Sequence, residues 1–388
     1  MGQTSQYSKT RVAVTVAFII NGLVVGAFYA RIADIKIQLQ ITNSALGLAL
    51  LCIAVGVLIG LGFSGRQCAK RGSAPVVIAS TYALGISVLI VGLTNSYIAL
   101  CLAFVVFGTF LSIQDVAMNS HAIVLEHEAD RRYMSTFHAM FSIGALSGGI
   151  LGGFFSQSQV SIFSQSLFIA VLIVISNFFI RNTFLPASSD QHPITEKKKT
   201  RRPRVFLLVG LLGLCAAISE GSAGDWGAVL ARDTFNATPF ISTLPYICFS
   251  AAMVLGRLMG DRLAVRFGPM KLIIGGGLIA GIGLASGLVV GGVGGVIFGW
   301  LSIGIGFSTV IPMLFSQAGE IAKSKPELDF APSEAVAMVS GIAYFGFLVG
   351  PPTLGFLGDL IGLRWAMMVP AILAIFMVLA ARPVLRNK

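Results

Sequence analysis

Few residues in this chain can do chemistry, and most of them stand in or beside long apolar runs. Asp115 lies in the run 97–120. Thr109, Ser112 and Asn119 are spaced around it by three and four, so the four form one polar stripe along a helix. The stripe suits the binding of a solute or a proton at Asp115; a gate or helix-cap contact near the cytoplasmic interface needs the same residues. Glu220 follows an apolar run and has no basic residue within a turn, and Asp225 and Trp226 follow it at the outer end of that run. A carboxyl held among apolar groups favours its neutral form, which suits proton coupling; the alternative is an outer-gate hydrogen bond, with Asp225 capping a following turn. Arg31 and Asp34 are i,i+3 neighbours and can pair with each other. Asn21, Phe28 and Arg31 also share a helical face about 80° wide, from which the guanidinium fork would meet an anionic or hydroxylated solute. His138 stands beside Phe137 and Phe141 and is either a titrating group or a structural one. Trp300 and Tyr344 either stack against a solute or pack.

Other kinds of site find no support. His121 and His127 sit with Glu126, Glu128, Asp130, Arg131 and Arg132 in what reads as a solvated cytoplasmic gate or salt-bridge loop. The cysteines show no CxxC or Cys/His spacing for a metal and read as small buried hydrophobes. There is no phosphate-binding GxxxxGK[ST] loop, so ATP is not expected to drive the protein. GGGLIAGIGLASG at 275–287 follows no strand and reads as a glycine-rich membrane helix. No catalytic constellation, cofactor or metal is expected, and the chain does not read as an enzyme.

These residues must be positioned by membrane helices. Of 388 residues 55% are hydrophobic and 11% charged, with mean hydropathy +0.87. A soluble domain carries about 25% charged residues, and a disordered chain needs high charge and low hydrophobicity, so the bilayer is the solvent this composition suits. A spanning helix takes about 20 apolar residues. Twelve spans are expected near 12–33, 44–64, 75–93, 97–120, 135–156, 164–182, 205–224, 238–260, 271–290, 293–317, 335–357 and 365–383, the first a retained helix and not a cleaved leader. Gly144, Gly148 and Gly152 repeat at four, which marks the fifth as a close-packing helix. Pro312, and the set Gly350, Pro351, Pro352 and Gly355, are expected to interrupt the tenth and eleventh. The polar stretch 183–204 separates an N-terminal half, 1–182, from a C-terminal half, 205–388. With both termini in the cytoplasm, about 23 of the 27 basic residues fall inside and 4 outside. The net charge of +11 therefore reads as membrane topology and not as a nucleic-acid surface.

The halves resemble each other. GRQCAKRG at 65–72 aligns without gaps on DRLAVRFG at 261–268, so that Arg66 matches Arg262, Lys70 matches Arg266, Gly72 matches Gly268 and, upstream, Gly60 matches Gly256. Both segments follow the second span of their half. Here the chain resembles the major facilitator superfamily, whose loop motif runs approximately G-x-x-x-D-(R/K)-x-G-x-(R/K). Gly256, Asp261, Arg262, Arg266 and Gly268 fit it in part, while the N-terminal copy has Gly65 in place of the acid. The runs DVAMNSHAIVLEH at 115–127, MSTFHAMFSIGALSGG at 134–149, EGSAGDW at 220–226 and FLVGPPTLGFLGDLIGLRWAM at 347–367 look like the MosC/YbjJ-like branch.

The resemblance implies an all-α membrane protein of two pseudo-symmetric six-helix halves, with helices 1, 4, 7 and 10 around a central cavity. It also implies a secondary transporter for a small polar solute, working by alternating access around a midplane site, in the inner membrane and as a monomer in contact with lipid; protons are the expected coupling ion, because carboxyls in apolar segments can be neutralised at modest cost and no convincing Na⁺ site is visible. Metabolite or drug efflux by proton antiport is the alternative, disfavoured by the lack of a Gly-Pro element in the fifth span. A non-transporting sensor or scaffold of the same fold would be expected to carry a signalling domain, and the flanking tails are short.

Overall fold

The computed structural model describes residues 2–189, 203–325 and 331–385. Residues 190–202, most of the expected basic linker, lie outside the described residues, as does the side chain of Asp261. The helices are α1 (Gly2–Tyr29), α2 (Ile32–Leu39), α3 (Asn43–Arg71), α4 (Ser73–Gly92), α5 (Tyr97–Ala129), α6 (Met134–Gln157), α7 (Ile162–Ile180), α8 (Arg204–Phe235), α9 (Pro239–Phe267), α10 (Pro269–Val290), α11 (Gly292–Phe307), α12 (Val310–Ser324), α13 (Pro332–Ile361), α14 (Leu363–Ala366) and α15 (Met368–Leu385). Among the described residues twelve stretches are long and apolar enough to cross a membrane: α2 is a short connector, α11 with α12 makes one span and α14 with α15 another. The protein is an all-α, multi-pass membrane protein of twelve spans. Helices serve here because each satisfies its own backbone hydrogen bonds, which lipid cannot do.

Two helices outrun their apolar cores and one stops short of its expected end, and this corrects the expected placement of three groups. α8 continues to Phe235, so Glu220 is mid-helix instead of terminal, and Asp225 is helical instead of a cap. α5 continues to Ala129, so His121, Glu126 and His127 belong to a helix and not to a loop. α1 stops at Tyr29, so Arg31 leaves its helical face and stands at the turn into α2. Apolar runs mark the lipid-spanning part of a helix but not its polar extensions.

The prolines act unequally. α11 ends at Phe307 and α12 begins at Val310. The break falls where the ring of Pro312 would meet the Ser308 carbonyl four residues earlier. The expected interruption of α13 is absent: the helix runs through Pro351 and Pro352 without a break. Those prolines remove the donors that would pair with the carbonyls of Phe347 and Leu348, a loss a membrane helix tolerates when its surroundings compensate.

Contacts divide the chain into two units, Met1–Ile41 with Ala49–Lys197, and Thr42–Leu48 with Lys198–Lys388. The first turn of α3 thus belongs to the second unit. In the first unit α6 packs on α1 at backbone distance: a Cβ at Gly22 would strike the Phe141 carbonyl, and one at Gly144 or Gly148 would strike the carbonyl of Ile19 or Leu23.

The internal repeat holds at atomic level with a register of 196 residues, from 72 to 268. Gly72 (φ 80°, ψ 156°) and Gly268 (φ 80°, ψ 154°) each precede a helix in a left-handed conformation. Gly60 abuts Ser112 and Gly256 abuts Ser308, and 112 and 308 are again 196 apart. Gly108 meets Ile53 and Gly304 meets Phe249 in the same register. The halves therefore repeat each other at these positions.

Candidate functional site

In the first unit the expected polar residues fall into separate clusters. Arg31 is 4% exposed, and its donor fork is engaged within the protein. Nη1 donates to Gln165 Oε1 at 2.9 Å, Nη2 donates to the Val160 carbonyl at 2.7 Å, and Nε lies 2.6 Å from Asp34 Oδ2. Gln165 also donates to the Ala27 carbonyl at 3.2 Å. These bonds tie the end of α1 to α7. They border a small, partly open cavity of about 30 Å³ between α1, α4, α5 and α7, lined on its polar side by Arg31, Gln165 and Ser166 and on its apolar side by Phe28 and Phe107. Phe28 packs on Phe104 and Phe107 with ring centroids 5.4 and 5.3 Å away.

Asn21 lies one face away, buried, and donates to Gln114 Oε1. Gln114 in turn donates to the Ala17 carbonyl at 3.2 Å. Gln114 and Gln165 are not among the residues that charge and spacing single out, because neither is charged and each sits one residue off the polar stripe or in an apolar run. An intramembrane amide needs a partner, and that rule is the signal that finds both.

Asp115 points to the surface of its unit, away from its neighbour Gln114. Asn119 donates to its carboxylate at 3.2 Å and to its carbonyl at 2.8 Å. Ser112 turns inward, with its hydroxyl buried and unbonded, so the stripe is split between two environments. His138 is exposed and meets the Phe18 ring edge-on at 5.4 Å.

His121 corrects the solvated-gate expectation. It is 1% exposed. The Leu185 N–H donates to Nε2 at 3.2 Å, which leaves the proton on Nδ1, 2.8 Å from Ser73 Oγ. Glu126 accepts from the N–H groups of Tyr133 and Met134 and so caps α6. Glu128, Asp130, Arg131 and Arg132 are exposed. The cysteine expectation also needs amending: Cys68 and Cys215 are buried, but Cys52, Cys101 and Cys248 are half-buried.

In the second unit Glu220 pairs with Arg257 of α9. Nη2 lies 3.4 Å from Oε1, with the arginine side chain 44% and the glutamate 17% exposed. Glu220 Oε2 is buried and accepts no hydrogen bond from the described residues. Sequence separation hides this pair, since the two residues lie 37 positions apart. Asp225 is buried a turn and a half further along α8. Trp226 and Trp300 are fully buried, and among the described residues neither indole N–H has an acceptor. Tyr344 is 55% exposed. Of the loop-motif residues, Arg66, Lys70, Arg262 and Arg266 are exposed, and Arg266 lies over the Phe267 ring. Among the described residues no group of three His, Cys, Asp or Glu side chains can hold a metal ion.

Among the described residues the polar groups stand as separate pairs inside apolar helices. Comparison with known proteins gives the family and the fold. The sequence profile of the Major Facilitator Superfamily matches residues 14–327. An uncharacterized MFS-type transporter of Yersinia pestis is 31% identical over 379 residues, 97% of this chain and 96% of that one. Membrane protein MosC of Rhizobium meliloti is 28% identical over 362 residues, 92% of this chain and 86% of that one. The structure is similar to nucleoside transporter NupG, with a TM-score of 0.78 at 13% identity, covering 98% of this chain and 100% of that one. It is also similar to a bacterial homolog of the human lysosomal transporter Spinster, with a TM-score of 0.76 at 13% identity, covering 98% and 97%. At such identities the structural likeness speaks for the fold.

Proposed function

The chain belongs to the major facilitator superfamily, and from that membership we propose that it is a secondary transporter which carries a small polar solute by alternating access and is coupled to protons. The observation that carries the coupling is the Glu220–Arg257 pair. A carboxylate in the middle of a spanning helix costs roughly 2.5–3.5 kcal/mol to insert, and here one of its oxygens accepts no hydrogen bond from the described residues. When ionised, Glu220 holds Arg257 by charge. When protonated, it no longer attracts Arg257, and the Oε2 side can carry the hydroxyl proton. Exchange between these two forms is the elementary act of a proton-driven carrier. Asp115, on the surface of its unit and bonded to a single side chain, is the second group we assign to this cycle.

The distribution of Lys and Arg supports an inner-membrane topology with both termini in the cytoplasm, the halves 1–182 and 205–388 joined there through 183–204. We assign the working unit as a monomer.

The test begins with a thermal-shift screen of purified protein against polyols, sugars, amines and organic acids, since a ligand of the folded state raises its midpoint. A hit is then added to proteoliposomes loaded with a pH-sensitive dye. Wild-type vesicles should show solute-dependent proton movement, and Glu220→Gln vesicles should move solute without it. Solute uptake indifferent to a pH gradient, and unchanged in both Glu220→Gln and Asp115→Asn, would remove the coupling claim.

A further inference from the structure

α3 and α5 share a seam in constant register. The backbone at Gly56 meets Val105, and the backbone at Gly60 meets Thr109. Both pairs are 49 residues apart, and one turn earlier on each helix the same register sets Cys52 against Cys101. The Cys52 side chain lies close enough to that of Cys101 for the two to interact, and Tyr97 approaches Cys101 from the preceding turn of α5. A Cβ at Gly56 would collide with the Val105 carbonyl, so the two backbones run at close range one turn from the thiols. A disulfide demands such proximity, with Cα atoms about 4.4–6.8 Å apart. Both cysteines are half-buried, and Cys101 is the fifth residue of α5, about 6 Å along the axis from its start.

We propose that Cys52 and Cys101 form a reversible disulfide that staples α3 to α5. The oxidant is an external disulfide, either a small molecule or a carrier protein. The thiolate of one cysteine attacks its S–S bond and expels one thiol, leaving a mixed disulfide. The second cysteine then displaces the other sulfur, so the external disulfide gains two electrons and two protons and leaves as two thiols. The geometry of the pair stands by itself. The side from which it is oxidised rests on the topology proposed above, which turns this end of α5 to the outside, where oxidants of this kind prevail.

Full-length protein in sealed vesicles of known orientation tests both parts. Diamide, which crosses membranes, should yield a peptide linking Cys52 to Cys101 and remove two free thiols. The link should be lost in Cys52→Ser and in Cys101→Ser and kept in Cys215→Ser. Oxidised glutathione, which does not cross, should form the link from the outer face alone. Absence of the cross-link with diamide, or a mixed disulfide at one cysteine that never closes onto the other, overturns the staple. A link formed by glutathione from the cytoplasmic face alone leaves the staple standing and overturns the topology.

Discussion

Asp359, near the end of α13, holds the first turn of α3 by its backbone: one carboxylate oxygen accepts the Asn43 N–H at 3.1 Å and the other accepts the Ser44 N–H at 2.8 Å. The first N–H groups of a helix have no partner within it, and their partial positive charge favours an anion. Asp359 therefore acts as an N-cap supplied by another helix. The approach is close, because a Cβ at Gly47 would press on Pro351 and Pro352 and one at Gly355 would strike the Asn43 carbonyl.

Replacing this cap should cost what caps generally cost, about 1 kcal/mol for Asp359→Ala. Asp359→Asn keeps one acceptor and should fall between. Thermal midpoints of the three proteins in one detergent give the order, and equal midpoints would mean that the contact contributes nothing.

Glycines can be sorted by what surrounds them. Gly22→Ala drives a methyl into the Phe141 carbonyl and should destabilise by about 1–3 kcal/mol through overpacking. Gly65→Ala meets nothing within 4 Å on an exposed helical face and should stabilise by up to about 1 kcal/mol through helix propensity. A lowered midpoint for both, or for neither, contradicts this reading of the α1–α6 seam.

The repeat glycines separate backbone strain from space. Gly72→Ala and Gly268→Ala both impose a conformation at φ 80° that costs about 1–3 kcal/mol. At Gly72 the new methyl also meets Ala187, whereas at Gly268 it meets nothing. Denaturation midpoints should fall for both and further for Gly72→Ala; no loss at either position would refute the strained geometry.

The buried amide pair gives a coupling prediction. Asn21→Leu leaves Gln114 without its donor in an apolar interior and should cost about 1–3 kcal/mol. The double variant Asn21→Leu/Gln114→Leu removes both polar groups and should recover part of that loss. A double-mutant cycle measures the difference, and strict additivity would show that the two side chains do not depend on each other.

Much of the architecture is legible in the amino-acid sequence. Twelve apolar spans follow from runs long enough to cross a bilayer, and the family follows from the resemblance, which the Yersinia pestis and MosC relatives bear out. The match of Gly72 to Gly268 is also a match of dihedral angles. Helix ends are less legible. α5 and α8 run about nine to eleven residues beyond their expected ends at 120 and 224, because hydropathy reports where lipid is and not where hydrogen bonding stops.

What the amino-acid sequence determined by itself is local and additive: how many helices span, which turns need glycine, and in what register the halves repeat. What the tertiary structure decided is the partner of each polar group. Arg31 found Gln165, Asn21 found Gln114, Glu220 found Arg257, and Asp359 found the start of α3. Each partner lies on a different helix, tens to hundreds of residues away. Hydrophobic length sums over neighbours in the chain, whereas a buried hydrogen bond depends on which faces of distant helices are pressed together, and that is settled by packing alone.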